Sequence, residues 1–286
     1  MAHKPFIRTL RAQWLGQRLR ELREERGMTL ETVAEHLNRD RSALGRYERA
    51  EWPIQRNDVY ALLDLYGFHR AQERQQLLSL AEEVWRTDRW DEDYGDVVDA
   101  SFIDFPWLES RAARISSYNP LLLPGLFQTR AYAEAVIRSV EEPDAPDDLV
   151  ARWIDLRMQR QRVFEGRRDI SVSTVVEEAA LRRPVGGRAV MAAQLRHLAE
   201  VARRSNVEIR VLPTGLGTHS ALNGPFVLFT MPRPYPEVAY IENLGGRLYL
   251  EAPKSERFRR AYDRLRKVAL DPHESVKLVA TIAEEL

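Results

Sequence analysis

The chain has 286 residues, 43 Lys and Arg against 43 Asp and Glu, and no cysteine. That length suggests about two domains, and the missing thiols exclude a disulfide framework and a thiolate zinc site. No stretch is apolar over the ~18 residues a membrane span needs. The first residues lack the apolar core of a signal peptide, and a cytoplasmic protein that binds no membrane is the expectation.

In chain order, Leu15 to Gly27 places Leu15, Leu19 and Leu22 on one helical face and ends in a glycine stop. Met28 to Arg49 reads as two short helices separated by a break of a few residues. Leu30, Val33, Ala34 and Leu37 recur at helical spacing in the first, with Thr29 as N-cap. Asn38 tolerates the left-handed conformation of a turn, and Asp40 caps the second helix, whose inward face is expected to be Leu44 and Tyr47. Arg41, Ser42, Gly45, Arg46 and Arg49 are then expected to face outward. Gly45, costly in a helix by roughly 1 kcal/mol relative to alanine, suggests a close approach to a neighbour or a strand of nucleic acid.

An exposed helical N-terminus with arginines and a short hydroxyl suits the major groove, because an arginine fork can bond guanine O6 and N7 together. Two further helical patterns, Asn57 to Tyr66 and Ala71 to Trp85, complete a five-helix unit of about 80 residues. The apolar stripe Leu77, Leu78, Leu80, Ala81 and Val84 belongs to its core or to a contact with a second copy. Charge is segregated: residues 1–80 hold fourteen Lys and Arg against eleven Asp and Glu, whereas residues 81–110 hold two against ten. The acidic stretch from Glu82 to Asp104 would be repelled by a duplex and is expected away from it. The domain boundary is placed near Arg86 to Tyr94, giving domains over 1–86 and 87–286.

Residues 15–49 resemble the Cro/repressor-type (XRE) helix-turn-helix family. The resemblance implies base contacts from Arg41, Ser42 and Arg46, phosphate contacts from Thr29 and Arg49 with Arg39 and Arg56 as further candidates, and a structural ion pair between Arg23 and Glu48. It also implies action on double-stranded operator DNA as a homodimer, since two half-sites about one helical turn apart multiply a modest affinity. Asn38 and Ala50 stand where that family often has glycine.

Beyond Asp96, helices alternate with β-branched runs. Arg111 to Tyr118 and Pro120 to Thr129 read as a short helix, a strand and a Pro-Gly turn, and Thr129 can cap a helix running through Arg138. Asp147 to Gly166 reads as one long helix, Ile170 to Val176 as a strand, Gly187 to Ser205 as a helix and Val207 to Leu212 as a half-buried strand. Three more strands (226–231, 238–242 and 247–250) and two helices (255–270 and 272–285) close the chain. The expected fold is an all-α helix-turn-helix domain followed by a mixed α/β (α+β) domain around a sheet of five or so strands. The runs Pro124-Gly125-Leu126-Phe127-Gln128-Thr129, Arg182-Arg183-Pro184-Val185-Gly186-Gly187 and Gly224-Pro225-Phe226 resemble the second domain of actinobacterial WhiJ-like, antitoxin-type regulators. That resemblance implies repression or developmental control, with the second domain answering to a ligand or to a small, toxin-like partner protein encoded nearby.

Catalytic signals are weak. Adjacent Glu177 and Glu178 would point to opposite faces of a strand or, as a loop pair, cap a helix from Ala179 onward, the six histidines have no metal-site spacing, and Gly215 and Gly217 lack the rest of a dinucleotide fingerprint. No cofactor, metal or catalytic residue is assigned, and the protein is read as a regulator, not an enzyme. The alternative is a hydrolase- or transferase-like enzyme brought to DNA by its first domain, with its site in the second. Turns at strand ends are where α/β domains place binding crevices, which nominates Tyr118, Gln128, Arg182 and His219 as lining a groove for a ligand or partner.

Overall fold

A computed structural model describes residues 6–85, 102–140, 145–166 and 170–286. The boundary expected near Arg86 to Tyr94 and most of the acidic stretch lie outside these residues. The chain divides into two compact units, Met1–Asp104 and Phe105–Leu286.

The first unit holds α1 (Leu10–Glu25), α2 (Leu30–His36), α3 (Arg41–Glu48), α4 (Arg56–Leu65) and α5 (Ala71–Trp85). Helix α1 starts five residues before the expected leucine stripe, because Thr9 caps it by accepting from the Ala12 N–H at 3.3 Å. Thr29 and Asp40 cap α2 and α3 in the same way, at 3.2 Å to Thr32 N and 2.7 Å to Ala43 N. Asn38 takes φ 52° in the turn between them, and Ala50 takes φ 55° after α3. Leu15, Leu19 and Leu22, like Val33, Leu44, Val59, Leu62 and Leu63, are fully or almost fully buried and belong to the core of this unit. Leu77, Leu78, Leu80 and Ala81 of α5 are buried in this unit, so the stripe on α5 is core.

The inward face of α3 differs from the expectation: Ala43, Leu44, Gly45 and Glu48 are buried, and Tyr47 is half-buried. The close approach of backbones falls at Gly16, not at Gly45. A Cβ on Gly16 would lie 2.6 Å from the carbonyl oxygens of both Tyr47 and Glu48, whereas one on Gly45 would meet only the tip of the Arg49 side chain. Gly16 thus lets α1 lie directly on the end of α3.

The second unit is a six-stranded mixed sheet in the order β3-β2-β1-β4-β5-β6. Its strands are β1 (Arg114–Asn119), β2 (Ser171–Glu177), β3 (Val207–Leu212), β4 (Phe226–Thr230), β5 (Val238–Asn243) and β6 (Gly246–Leu250). Strands β1, β2 and β3 are parallel, and β4, β5 and β6 add antiparallel. The parallel neighbours require crossovers: α7 (Arg130–Val140), α8 (Asp147–Arg160) and the one-turn α9 (Val163–Gly166) between β1 and β2, then α10 (Glu178–Arg182) and α11 (Arg188–Val201) between β2 and β3. Helix α6 (Asp104–Arg111) precedes β1, and α12 (Ser255–Val268) and α13 (Pro272–Glu285) follow β6.

Two local expectations are corrected. Residues 114–118 are a strand, since β1 lies between β2 and β4 with Ile115 to Tyr118 all buried; the helix ends at Arg111. Pro120 to Thr129 contains no strand but a 3-10 turn at Gly125–Phe127, where prolines 120 and 124 cannot donate to a ladder. The long helix expected over 147–166 breaks after Arg160. There the chain tightens, Gln161 and Arg162 donating to the carbonyls three residues back, while the Gln161 amide leaves the helix to bond the carbonyls of Gly125 and Gln128 at 3.0 and 2.7 Å. Among the described residues, no helix is long and apolar enough to cross a membrane, and no group of His, Cys, Asp or Glu could hold a metal ion.

Candidate nucleic-acid interface

Helix α3 is fixed from behind. Arg23 of α1 bonds Glu48 of α3 through both fork nitrogens, Nε to Oε1 at 2.6 Å and Nη2 to Oε2 at 2.9 Å, and both side chains are buried. A bidentate pair sets orientation as well as distance, and the bond to Glu48 holds the Arg23 guanidinium above its ordinary pKa. The remaining Arg23 nitrogen, Nη1, donates to the Met28 carbonyl at 2.9 Å, tying the same side chain to the loop that starts α2. The hydroxyl of Tyr66 is buried without a hydrogen-bond partner, and burial followed by the charge of Glu48 pushes its phenol up.

On the opposite side, the residues of the outer face are present but occupied. Arg41 pairs with Glu31 at 2.8 Å, Arg39 with Asp58 at 3.3 Å, and Arg56 with Glu82 at 2.6 Å. Arg49 makes a two-point contact with Glu51 at 2.7 and 2.9 Å. Exposed pairs of this kind contribute about 0–1 kcal/mol and are screened by salt, so a phosphate can displace the carboxylate at little cost. Thr29 is engaged as the α2 cap and touches Thr32 at 3.0 Å. Ser42 accepts from Arg46 Nη2 at 2.9 Å.

Arg46 is half-buried and differs from its neighbours. Its guanidinium carbon lies 3.5 Å from the centre of the Trp52 ring, a stacked cation–π contact, and its Nε is buried without a hydrogen-bond partner. Trp52 and the four carboxylates were missed in sequence. Trp52 is 45 % exposed just beyond α3, and an exposed tryptophan among arginines was the available signal; the carboxylates lie too far along the chain for spacing to pair them.

In the second unit the four groove candidates do not share one environment. Tyr118 and His219 come together: the Tyr118 hydroxyl donates to Glu177 Oε1 at 2.8 Å, and His219 Nε2 lies 3.0 Å from the same oxygen. The Ala221 N–H donates to His219 Nδ1 at 3.3 Å, which leaves the proton on Nε2 for Glu177. The Tyr118 phenol is pushed up by burial and then by Glu177. Gln128 is buried elsewhere, donating to the Leu123 carbonyl and accepting from Arg157. Arg182 bonds Glu178 and Glu285. Glu177 ends β2 and Glu178 opens α10, so the pair stands at the head of that helix as expected, although Glu177 makes no side-chain cap bond; Glu178 accepts from the Thr214 N–H at 3.1 Å.

Two capped helices joined by a tight turn, with a second helix clamped by a buried ion pair and basic on its outer side, define a helix-turn-helix DNA-binding regulator. Residues 14–77 match a family described as helix-turn-helix domain. Residues 102–281, more than half of the chain, match the family described as domain of unknown function (DUF5753), and the chain belongs to that family. No curated protein and no solved structure matches the chain.

Proposed function

We propose that this protein is a sequence-specific transcriptional regulator of the XRE, WhiJ-like and antitoxin-type class. Its DNA-binding part spans residues 1–86, and the domain over 87–286 senses a small ligand or partner protein. The observation that carries the reading is the outer side of α3: Ser42 and Arg46 one turn apart, with Arg41 at the helix start and the whole helix fixed by Arg23 and Glu48. Arg46, stacked on Trp52 and propped by Ser42, is presented as a rigid fork for a guanine edge. Arg41 and Ser42 read neighbouring base pairs. Arg49, Arg39, Arg56 and the Thr29 hydroxyl hold phosphates, the arginines exchanging their present carboxylate partners for the DNA backbone.

Acting as a homodimer on a palindrome would give a small head the affinity a repressor needs. The second domain regulates only if its ligand or partner binds the DNA-free and DNA-bound forms with different affinity.

The test is a pair of variants in the full chain. Arg46→Ala should cost roughly 1–3 kcal/mol of specific binding and relax preference at one base pair. Arg49→Ala should weaken all sequences alike and reduce the salt slope by about one unit. Uniform loss in both variants would remove the assignment of base and phosphate roles. Sensing fails if no small protein encoded nearby and no candidate metabolite shifts operator affinity.

A further inference from the structure

The face of the sheet that lies under α12 changes character along its strands. At the carboxyl ends of β1, β2 and β3, Tyr118, Val175 and Leu212 join a buried apolar cluster with Phe226 and Leu265. Side chains on one face recur every second residue, so the same face continues upstream as Ser116 and Arg114 on β1, Ser173 and Ser171 on β2, and Arg210 and Glu208 on β3. The register sets Arg114 beside Ser171, Ser116 beside Ser173, and Ser173 beside Glu208. From α12, Arg259, Tyr262, Asp263 and Arg266 follow the i, i+3, i+4, i+7 rule of one helical face. The polar groups of this face, Arg210 apart, line with Leu228 a partly open cavity of about 160 Å³.

Part of this lining satisfies itself. The Tyr262 hydroxyl donates to Ser173 Oγ at 2.7 Å, Ser173 donates to Glu208 at 2.9 Å, and Arg266 grips both oxygens of Glu208 at 2.9 Å each. Arg259 is shared between the Thr230 hydroxyl and Glu237. This network pins α12 to the sheet and accounts for those residues structurally.

It does not account for Arg114, Ser116, Ser171 or Asp263. None of these four side chains hydrogen-bonds or ion-pairs with another described residue, yet all four line the cavity. Ser116 is only 6 % exposed. Its hydroxyl is not among the buried polar atoms left without a partner, so it keeps contact with the water of the cavity, which a ligand's hydroxyl or amino group can replace. Arg259 is matched by Glu237 and Arg266 by Glu208, which leaves Arg114 as the unpaired cation of the lining and Asp263 as its unpaired carboxylate.

We propose that this cavity is a binding site for a small carboxylate bearing hydroxyl or amino groups, its carboxylate on Arg114 and its polar substituents on Ser116, Ser171 and Asp263. The guanidinium fork matches a carboxylate in shape and charge. A phosphate ester, with about −1.5 to −2 charges at neutral pH, would exceed the single positive charge available and meet Asp263 and Glu208. The volume lies well below the roughly 300–1,000 Å³ of pockets for drug-sized ligands, which restricts the ligand to the size of a simple hydroxy or amino acid. The site does not depend on the DNA-binding reading, and it stands or falls without it.

The experiment is calorimetric titration of the full chain with L-serine, lactate, glycerate, inorganic phosphate and glycerol, beside thermal melts with each. At least one of the three carboxylates should bind at one per chain and raise a melting midpoint, while phosphate and glycerol do neither. Arg114→Ala should lower that affinity by about tenfold or more, as loss of a charge-assisted contact does. Because Arg114 is exposed and has no partner to lose, the unliganded melt should be unchanged. Ser116→Ala, a conservative change, should weaken binding several-fold and serves as the second variant if Arg114→Ala melts lower. The proposal is overturned if no carboxylate binds by roughly 10 mM, the weak end of measurable affinity. It is equally overturned if phosphate or glycerol is the only binder, or if both variants bind as the parent does.

Discussion

Replacing Glu48 by alanine tests the clamp behind α3 most severely. The carboxylate accepts two hydrogen bonds from Arg23 at 2.6 and 2.9 Å, and the side chains of the pair are only 10 % and 6 % exposed. Removing one partner leaves a guanidinium buried without its countercharge, which costs on the order of 3–5 kcal/mol. A domain of 60–100 residues loses about 4–8 °C of melting temperature per kcal/mol, so the first unit should melt some 12–40 °C lower by these rules. That would take most of the stability an ordinary small domain has. Differential scanning calorimetry of the full chain should show one transition moved far down and the other in place. DNA binding should vanish at temperatures where the parent binds. The double variant Arg23→Met, Glu48→Leu removes both charges and should recover much of the loss, because replacing a whole buried pair by apolar groups is often neutral. A Glu48→Ala protein melting within about 1 °C of the parent, or a double variant no more stable than the single, would refute the reasoning.

Three further outcomes follow. Gly16→Ala places a methyl 2.6 Å from two backbone carbonyls; overpacking of about 1–3 kcal/mol should lower the first transition and leave the second alone, and an unchanged melt would mean that α1 does not lie on α3 so closely. Glu51→Gln frees Arg49 from its exposed carboxylate partner, and non-specific DNA affinity at low salt should rise about two- to fivefold; gel-shift titrations showing no gain would remove the exchange of carboxylate for phosphate. Burial raises the pKa of Glu208, but the hydrogen bonds from Arg266 and Ser173 outweigh it, and the folded value lies below the ordinary 4.5. Its stabilisation is therefore complete above that value and lost as pH falls through the folded pKa; melts of the second unit should steepen in their decline below about pH 4.5, and Glu208→Gln should remove that part of the decline.

What could be read from the sequence was local chemistry. Thr29 and Asp40 cap the helices expected of them because a hydroxyl or carboxylate before an apolar helical pattern acts within three residues. Asn38 marks the turn because asparagine tolerates the left-handed backbone it adopts there. Gly16 was invisible by that route: its role is set by carbonyls about thirty residues away, so the glycine inside α3 drew attention instead. Residues 114–118 read as helix because nothing local reveals that β1 will lie between two other strands. The break after Arg160 depends on a glutamine amide bonding carbonyls more than thirty residues upstream. Likewise the alternating serines of β1 and β2 were on view in the sequence, but only register and the cover of α12 turn them into one wall of a cavity. Tyr118 and His219 meet through Glu177, whereas Gln128 and Arg182 satisfy their own surroundings; turn composition marks strand ends without saying which side chains converge there.

The central claim, that α3 reads a defined sequence, is tested most directly by selecting bound duplexes from random oligonucleotides with the full chain and, in parallel, with Arg46→Ala. The parent should enrich one motif, repeated with two-fold symmetry at a half-site spacing of about one helical turn, and the variant should enrich the same motif with preference lost at one guanine-containing position per half-site. Enrichment of no motif by the parent, or an identical motif of undiminished information from the variant, would contradict it.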